Sequence, residues 1–154
     1  MTLPLRLCVR RAPLLDGPAP ATRVAVRLPS DVGCIEEAVR LVTHHCLAGA
    51  QASAHVRFRL QVVLAEALAN AIIRGNQEDN GKSVFVTAEL HHDVIRIAVT
   101  DEGRGFDPAM IPDAIGPDRL DDSCGRGLFL IRRLVDAVQF NEQGNSICMT
   151  LRRQ

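Results

Sequence analysis

Residues 62–73 read VVLAEALANAII, and an apolar run this dense sets a helix at the centre of whatever the chain folds into. Only Glu66 and Asn70 are polar within it. Spaced four apart, they point the same way on a helix, one turn above the other. The remaining Ala, Val, Leu and Ile side chains mark a helix buried around most of its circumference. A carboxylate on such a helix is expensive to desolvate, so its surroundings must give it a reason to be there. One reason is a hard, oxygen-coordinated divalent cation such as Mg²⁺, which keeps waters and substrate phosphates in its shell. The other is an edge of the helix that simply faces solvent.

The chain around this helix alternates between the two secondary-structure periods. Residues 1–22 are Pro-rich and read as an extended lead-in with one short edge strand at 5–10. Residues 23–28 (RVAVRL) alternate as a half-buried strand, and Pro29-Ser30-Asp31 supplies a stop and a helix cap. A helix is expected over 32–48, with Ile35, Val39, Val42 and Cys46 on one stripe and His44 and His45 at its C-terminal end. Ser53 caps the second helix, which is expected to run to about Arg74. The turn cluster 75–81 (GNQEDNG) leads into strands at 82–90 and 94–100, joined by a tip at His91-His92-Asp93. Residues 108–124 hold Pro108, Pro112, Pro117 and the acidic group Asp118, Asp121 and Asp122, a segment of the kind that serves as a lid or stays disordered. A helix then opens at Gly125-Arg126-Gly127, and strands at 137–141 and 146–152 close the chain.

This order gives an α/β (α+β) two-layer sandwich, a mixed, largely antiparallel sheet with three helices on one face. With 154 residues and 47% apolar side chains, one domain with a real core is expected. Basic and acidic residues balance at 18 each, and no basic run or aromatic platform points to nucleic acid. The five cysteines are scattered without CxxC spacing, which fits reduced thiols in a cytoplasmic protein and neither a disulfide frame nor a zinc site. No run reaches membrane-spanning length, so no membrane partner is expected.

Two further stretches carry chemistry. Asp101-Glu-Gly103-Arg-Gly105-Phe106-Asp107 follows a strand directly: its carboxylate is placed to accept a hydrogen bond, and its spaced glycines allow a planar ligand close to the backbone. Gly125-Arg126-Gly127 opens a helix whose N-terminal N–H groups and dipole suit an anion such as phosphate. A flexible hinge before a helix reads the same way in isolation.

Taken together, EALANAIIRGN (66–76), DEGRGFDP (101–108) and GRGLFLIRRLVDAV (125–138) resemble the N, G1 and G2 boxes of the GHKL (Bergerat-fold) ATPase/kinase superfamily. The resemblance is strongest to the anti-sigma-factor serine/threonine kinases of bacterial partner-switching systems. It spans about residues 23–152, which sets a GHKL-type ATP-binding domain at 23–154 behind the lead-in 1–22. It implies ATP and Mg²⁺. Glu66 matches the general base, Asn70 the amide that holds Mg²⁺ on the triphosphate, and Asp101 the carboxylate that reads the adenine amino group. Gly103, Gly105 and Phe106 complete the adenine-side turn; Gly125, Arg126, Gly127 and Leu128 match the phosphate-facing helix entry. Arg74 stands where many relatives carry His, a permanent charge able to pair with phosphate. The lid is short and acidic and lacks the phosphate-gripping lysine of longer lids.

The resemblance further implies a small anti-sigma-factor antagonist as phosphorylated substrate, a sigma factor as the sequestered partner, and a homodimer through the first strand and helix. The alternative from a different class is a non-catalytic sigma-factor or partner-binding module whose nucleotide site is vestigial.

Overall fold

The structure, a computed structural model, describes residues 4–12, 19–105 and 123–153, with only the backbone described for 123–125. Strands β1 (Arg6–Arg11), β2 (Thr22–Pro29), β3 (Ser83–Leu90), β4 (Val94–Thr100), β5 (Ala137–Phe140) and β6 (Ser146–Arg152) form one sheet in the order β1-β2-β3-β4-β6-β5. Every pairing in it is antiparallel. The alternation read in the sequence is what orients the sheet. Val24, Val26 and Leu28 of β2 share a face with Val84, Val86 and Ala88 of β3 and with Ile95, Ile97 and Val99 of β4. Helices α1 (Ile35–Leu47), α2 (Ala54–Ala69) and α3 (Ser123–Leu134) cover that face, giving the expected two-layer sandwich.

Local signals set the helix starts. The Asp31 carboxylate accepts the Gly33 N–H at 2.8 Å and opens a single 3₁₀ turn at Val32–Cys34, so α1 itself begins three residues later than the stripe predicts. The Ser53 hydroxyl accepts the Val56 N–H at 3.1 Å and caps α2 as expected. Along α2, Leu60, Leu64 and Leu68 are completely buried, each stabilising the fold by roughly 1.5–3 kcal/mol relative to exposure. The short edge strand expected at 5–10 is β1, which pairs with β2 along its full length.

Two further elements differ from the sequence reading, both beside the three motifs. The second helix does not run to Arg74 as an α-helix. It widens into a π-helical segment over Asn70–Gly75, where the Asn76 N–H reaches back five residues to the Ala71 carbonyl at 2.8 Å. The widening delivers the Asn76 side chain into a buried polar knot: its Nδ2 donates to Ser30 Oγ at 2.8 Å and to the Ser83 carbonyl at 2.9 Å, and its Oδ1 accepts the Glu102 N–H at 2.8 Å. Second, α3 begins at Ser123, so Gly125, Arg126 and Gly127 lie inside its first turns and not ahead of it; it ends at Leu134. The predicted lid at 108–124 lies almost wholly outside the described residues.

Candidate functional site

The N-box helix and the glycine-rich helix are brought face to face. A methyl group placed on Gly127 would lie 2.9 Å from Glu66 Oε2 and 3.3 Å from Asn70 Nδ2. The missing side chain at Gly127 is thus what lets α3 settle against the polar edge of α2, and Leu128 beside it is buried. Glu66 and Asn70 themselves are half-buried, on the rim of the core.

The Asp-Gly turn closes the other wall. Gly75, at the end of the π-helical segment, is seated against the Asp101 carboxylate so tightly that any side chain there would collide with it. Gly103 lies equally close to the Gly75 carbonyl, and its N–H donates to Asp101 Oδ1 at 2.8 Å. The Asp101 N–H and carbonyl are both held by Asn145, at 2.9 Å to its carbonyl and 3.0 Å from its Nδ2. Asp101 therefore sits on a frame fixed by glycine contacts on one side and the β5–β6 turn on the other. Burial pushes its carboxyl above the ordinary carboxylate range, opposed in part by the Gly103 N–H and by the charge of Lys82. Gly105 adopts φ +77°, and a side chain there would strike the Gln143 carbonyl, so its freedom is needed for packing on the β5–β6 turn.

Between these walls lies a cavity of about 750 Å³, in the size range of small-molecule sites. Asn70, Arg74 and Leu128 from the helices and Asp101, Lys82, Val99 and the Gly144–Ile147 stretch from the sheet side line it. A second cleft of about 300 Å³ adjoins it and is lined by Glu66, Ile73, Arg126 and Leu130. Asn70 and Arg74 line both, so the two meet at these side chains.

Of the residues singled out in the sequence, Glu66, Asn70, Arg74, Arg126 and Gly127 gather at this junction. Asp101 and Gly105 line the larger cavity, and Gly103 packs behind Asp101 against Gly75. Gly125 lies in the first turn of α3, and Phe106 falls outside the described residues. The sequence reading missed Asn76, Lys82 and Asn145. Asn76 was hidden in a turn-like run, although an Asn directly following the N-box helix was visible; Lys82, the chain's only lysine, stood at a strand start with nothing to mark it.

For a divalent cation the donor chemistry fits. Glu66 and Asn70 bring side-chain oxygens to one place, a partial set of the kind Mg²⁺ completes with water and phosphate. Among the described residues no cluster of three or more His, Cys, Asp or Glu forms a metal cage. None of their helices is long and apolar enough to cross a membrane.

Comparison with known proteins agrees with this geometry. Residues 28–151 match the family described as histidine kinase-like ATPase domain. The serine-protein kinases RsbW of Staphylococcus aureus strains JH9, Newman and JH1 are each 33% identical over 98 residues, covering 58% of this chain and 62% of the relative. The chain thus spans under two thirds of the length of these relatives. With the match covering most of its length, the chain belongs to the histidine kinase-like ATPase domain family, the GHKL superfamily that its three boxes resemble.

Proposed function

We propose that this chain is an ATP- and Mg²⁺-dependent protein serine/threonine kinase that phosphorylates a small antagonist protein and sequesters a sigma factor. The observation that carries the reading is the junction of the two clefts. The larger has the volume for a nucleotide, the smaller holds Glu66, and they share Asn70 and Arg74. The kinase relatives, called serine-protein kinases by name, support the reaction class.

In this reading Asp101 accepts a hydrogen bond from the adenine amino group, and the backbone frame around it excludes side chains from the ring's place. Asn70 directs the triphosphate toward the junction, and Arg74 and Arg126 bring positive charge to the phosphoryl oxygens. Bound Mg²⁺, held through the Asn70 amide oxygen, would supply neutralisation of the triphosphate charge. The acceptor hydroxyl enters through the smaller cleft. Its oxygen bonds to the γ-phosphorus, the bond to the β-phosphate bridging oxygen breaks, ADP leaves, and Glu66 takes the hydroxyl proton. A homodimer belongs to the same reading, but not through the strand at 23–28 that the sequence suggested as its edge: that strand is β2, paired to β1 and β3, and the open edge on that side of the sheet is β1.

The test is incubation with γ-labelled ATP and a candidate antagonist, for the wild type and Glu66→Ala. Label on Ser or Thr of the antagonist, lost in the variant while ATP still binds, is the expected result. Nucleotide binding without any transfer would favour a sequestering module, and label on His would favour a histidine-kinase-type activity.

A further inference from the structure

The described helices pack on one face of the sheet and leave the other without a helix. Strand register sorts that open face into rows. One row crosses β1 to β4 as Arg10, Arg23, Glu89 and Arg96. Two residues along, the next row crosses β1 to β6 as Cys8, Ala25, Thr87, Ala98 and Cys148, all small and uncharged. Two residues further, a third row begins with Arg6 and Arg27 and passes to Phe85. The five arginines are exposed. Glu89, which lies 3.6 Å from the His91 ring nitrogen, is the one acidic strand residue on this face among those described. The whole chain is electrically balanced, so this is a local concentration of charge.

The dimensions specify what fits. Neighbouring strands are about 4.8 Å apart, so the small row runs roughly 19 Å from β1 to β6. The arginine rows flank it four residues apart along the strands, about 13 Å. An α-helix with its side chains is about 10–12 Å across, and about 13 residues of it span 19 Å. We propose that this face docks an acidic amphipathic helix of a partner protein, its small-residue stripe on the Ala25/Thr87/Ala98 row and its carboxylates meeting the arginines on both flanks. Guanidinium groups favour this pairing because their planar fork takes a carboxylate through two hydrogen bonds. Nucleic acid fits less well: sheet surfaces that bind it stack bases on aromatic rings, and the one phenyl ring among the described strand residues of this face, Phe85, already has the Arg27 guanidinium 5.6 Å from its centroid. A second copy of the chain fits poorly too, because face-to-face pairing sets like charges against each other.

The inference is independent of the nucleotide site, and so is its test. Fluorescence anisotropy would follow a labelled helical peptide of about 13 residues with Glu on both flanks of an Ala stripe. The same peptide with Gln for Glu and a duplex DNA oligonucleotide serve as comparisons. Binding to the acidic peptide alone, weakened by salt and by about tenfold in the Arg23→Gln/Arg96→Gln variant, is expected. Thr87→Arg, which adds charge but fills the small row, should also weaken binding, with melting temperatures confirming that both variants fold. The proposal is overturned by absence of peptide binding, by affinity that ignores these substitutions or rises with Thr87→Arg, by tighter binding of the DNA, or by self-association that the arginine variants abolish.

Discussion

Gly127 of α3 lies so close to Glu66 of α2 that one added methyl group would stand 2.9 Å from the Glu66 carboxylate oxygen. The clash is with the far end of a flexible side chain and not with backbone, so Gly127→Ala is predicted to fold with a melting temperature within a few degrees of wild type. With Glu66 as the proposed base, phosphate transfer should fall by roughly ten- to a hundredfold, because displacing a catalytic group by about 1 Å costs on that order. Single-turnover transfer measured alongside circular dichroism separates the two effects.

Asn76 ties the end of the π-helical segment to Ser30, Ser83 and the turn after β4. Asn76→Ala leaves buried groups without partners at about 1–3 kcal/mol each, so a loss of roughly 2–4 kcal/mol is predicted by denaturant unfolding. Because Asn76 holds Glu102 next to Asp101, ATP affinity should fall in the same variant under conditions where it remains folded.

The raised pKa of Asp101 makes nucleotide affinity pH-dependent. Burial favours the protonated carboxyl in the free protein, whereas a hydrogen bond from an amino group favours the ionised form, the stronger acceptor. Affinity for ATP should therefore fall as pH drops through the window just above the ordinary value of 3.8, and binding there should release protons. By itself the same shift makes ionised Asp101 destabilising, so its contribution to the stability of the free protein is largest below 3.8 and declines as pH rises through the folded pKa. Calorimetry in buffers of different ionisation enthalpy reads the proton count, and Asp101→Asn should flatten it.

Lys82 lines the larger cavity and carries the only side-chain amine of the chain. Acetylation with an amine-reactive reagent, read by mass spectrometry, should slow at Lys82 by severalfold when ATP is present. An unchanged rate at saturating ATP would place the nucleotide elsewhere.

Arg59 links α2 to the far end of α3, donating to the Leu134 carbonyl at 2.6 Å and to Asp136 at 3.1 Å. Its side chain is largely buried while Asp136 is partly exposed, which limits the ion pair to about 1 kcal/mol. Arg59→Met is predicted to cost about 1–3 kcal/mol, mostly through the lost carbonyl partner. Asp136 itself is held below the usual carboxylate range by the Arg152 N–H and Arg59, so its contribution is present above its unfolded pKa and fades as pH falls through the folded one.

Much of this architecture is legible in the chain because burial writes a period into it. The alternation of Val24, Val26 and Leu28 sets which face of β2 meets the helices, and Val94–Thr100 and Ser146–Arg152 are read to the residue. The π-helical widening at Asn70 is not legible, since it depends on a buried amide meeting Ser30, 46 residues away in sequence. Nor is the packing of Gly105 legible: besides lining the larger cavity, it gives way to the Gln143 carbonyl, a partner that only the fold supplies. Glu66, Asn70 and Asp101 stood out because polar groups at those places need a reason, but the distance between them is a property of the fold alone.

Isothermal titration with ATP and Mg²⁺, for the wild type and Asp101→Asn, tests the central claim most directly, because it asks whether the cavity between Asn70 and Asp101 holds the nucleotide. The account predicts one site per chain in the wild type and an affinity lower by at least about tenfold in the variant, the scale of one lost hydrogen bond to a charged group. Absence of heat from the wild type, or equal affinity in both proteins, would contradict it.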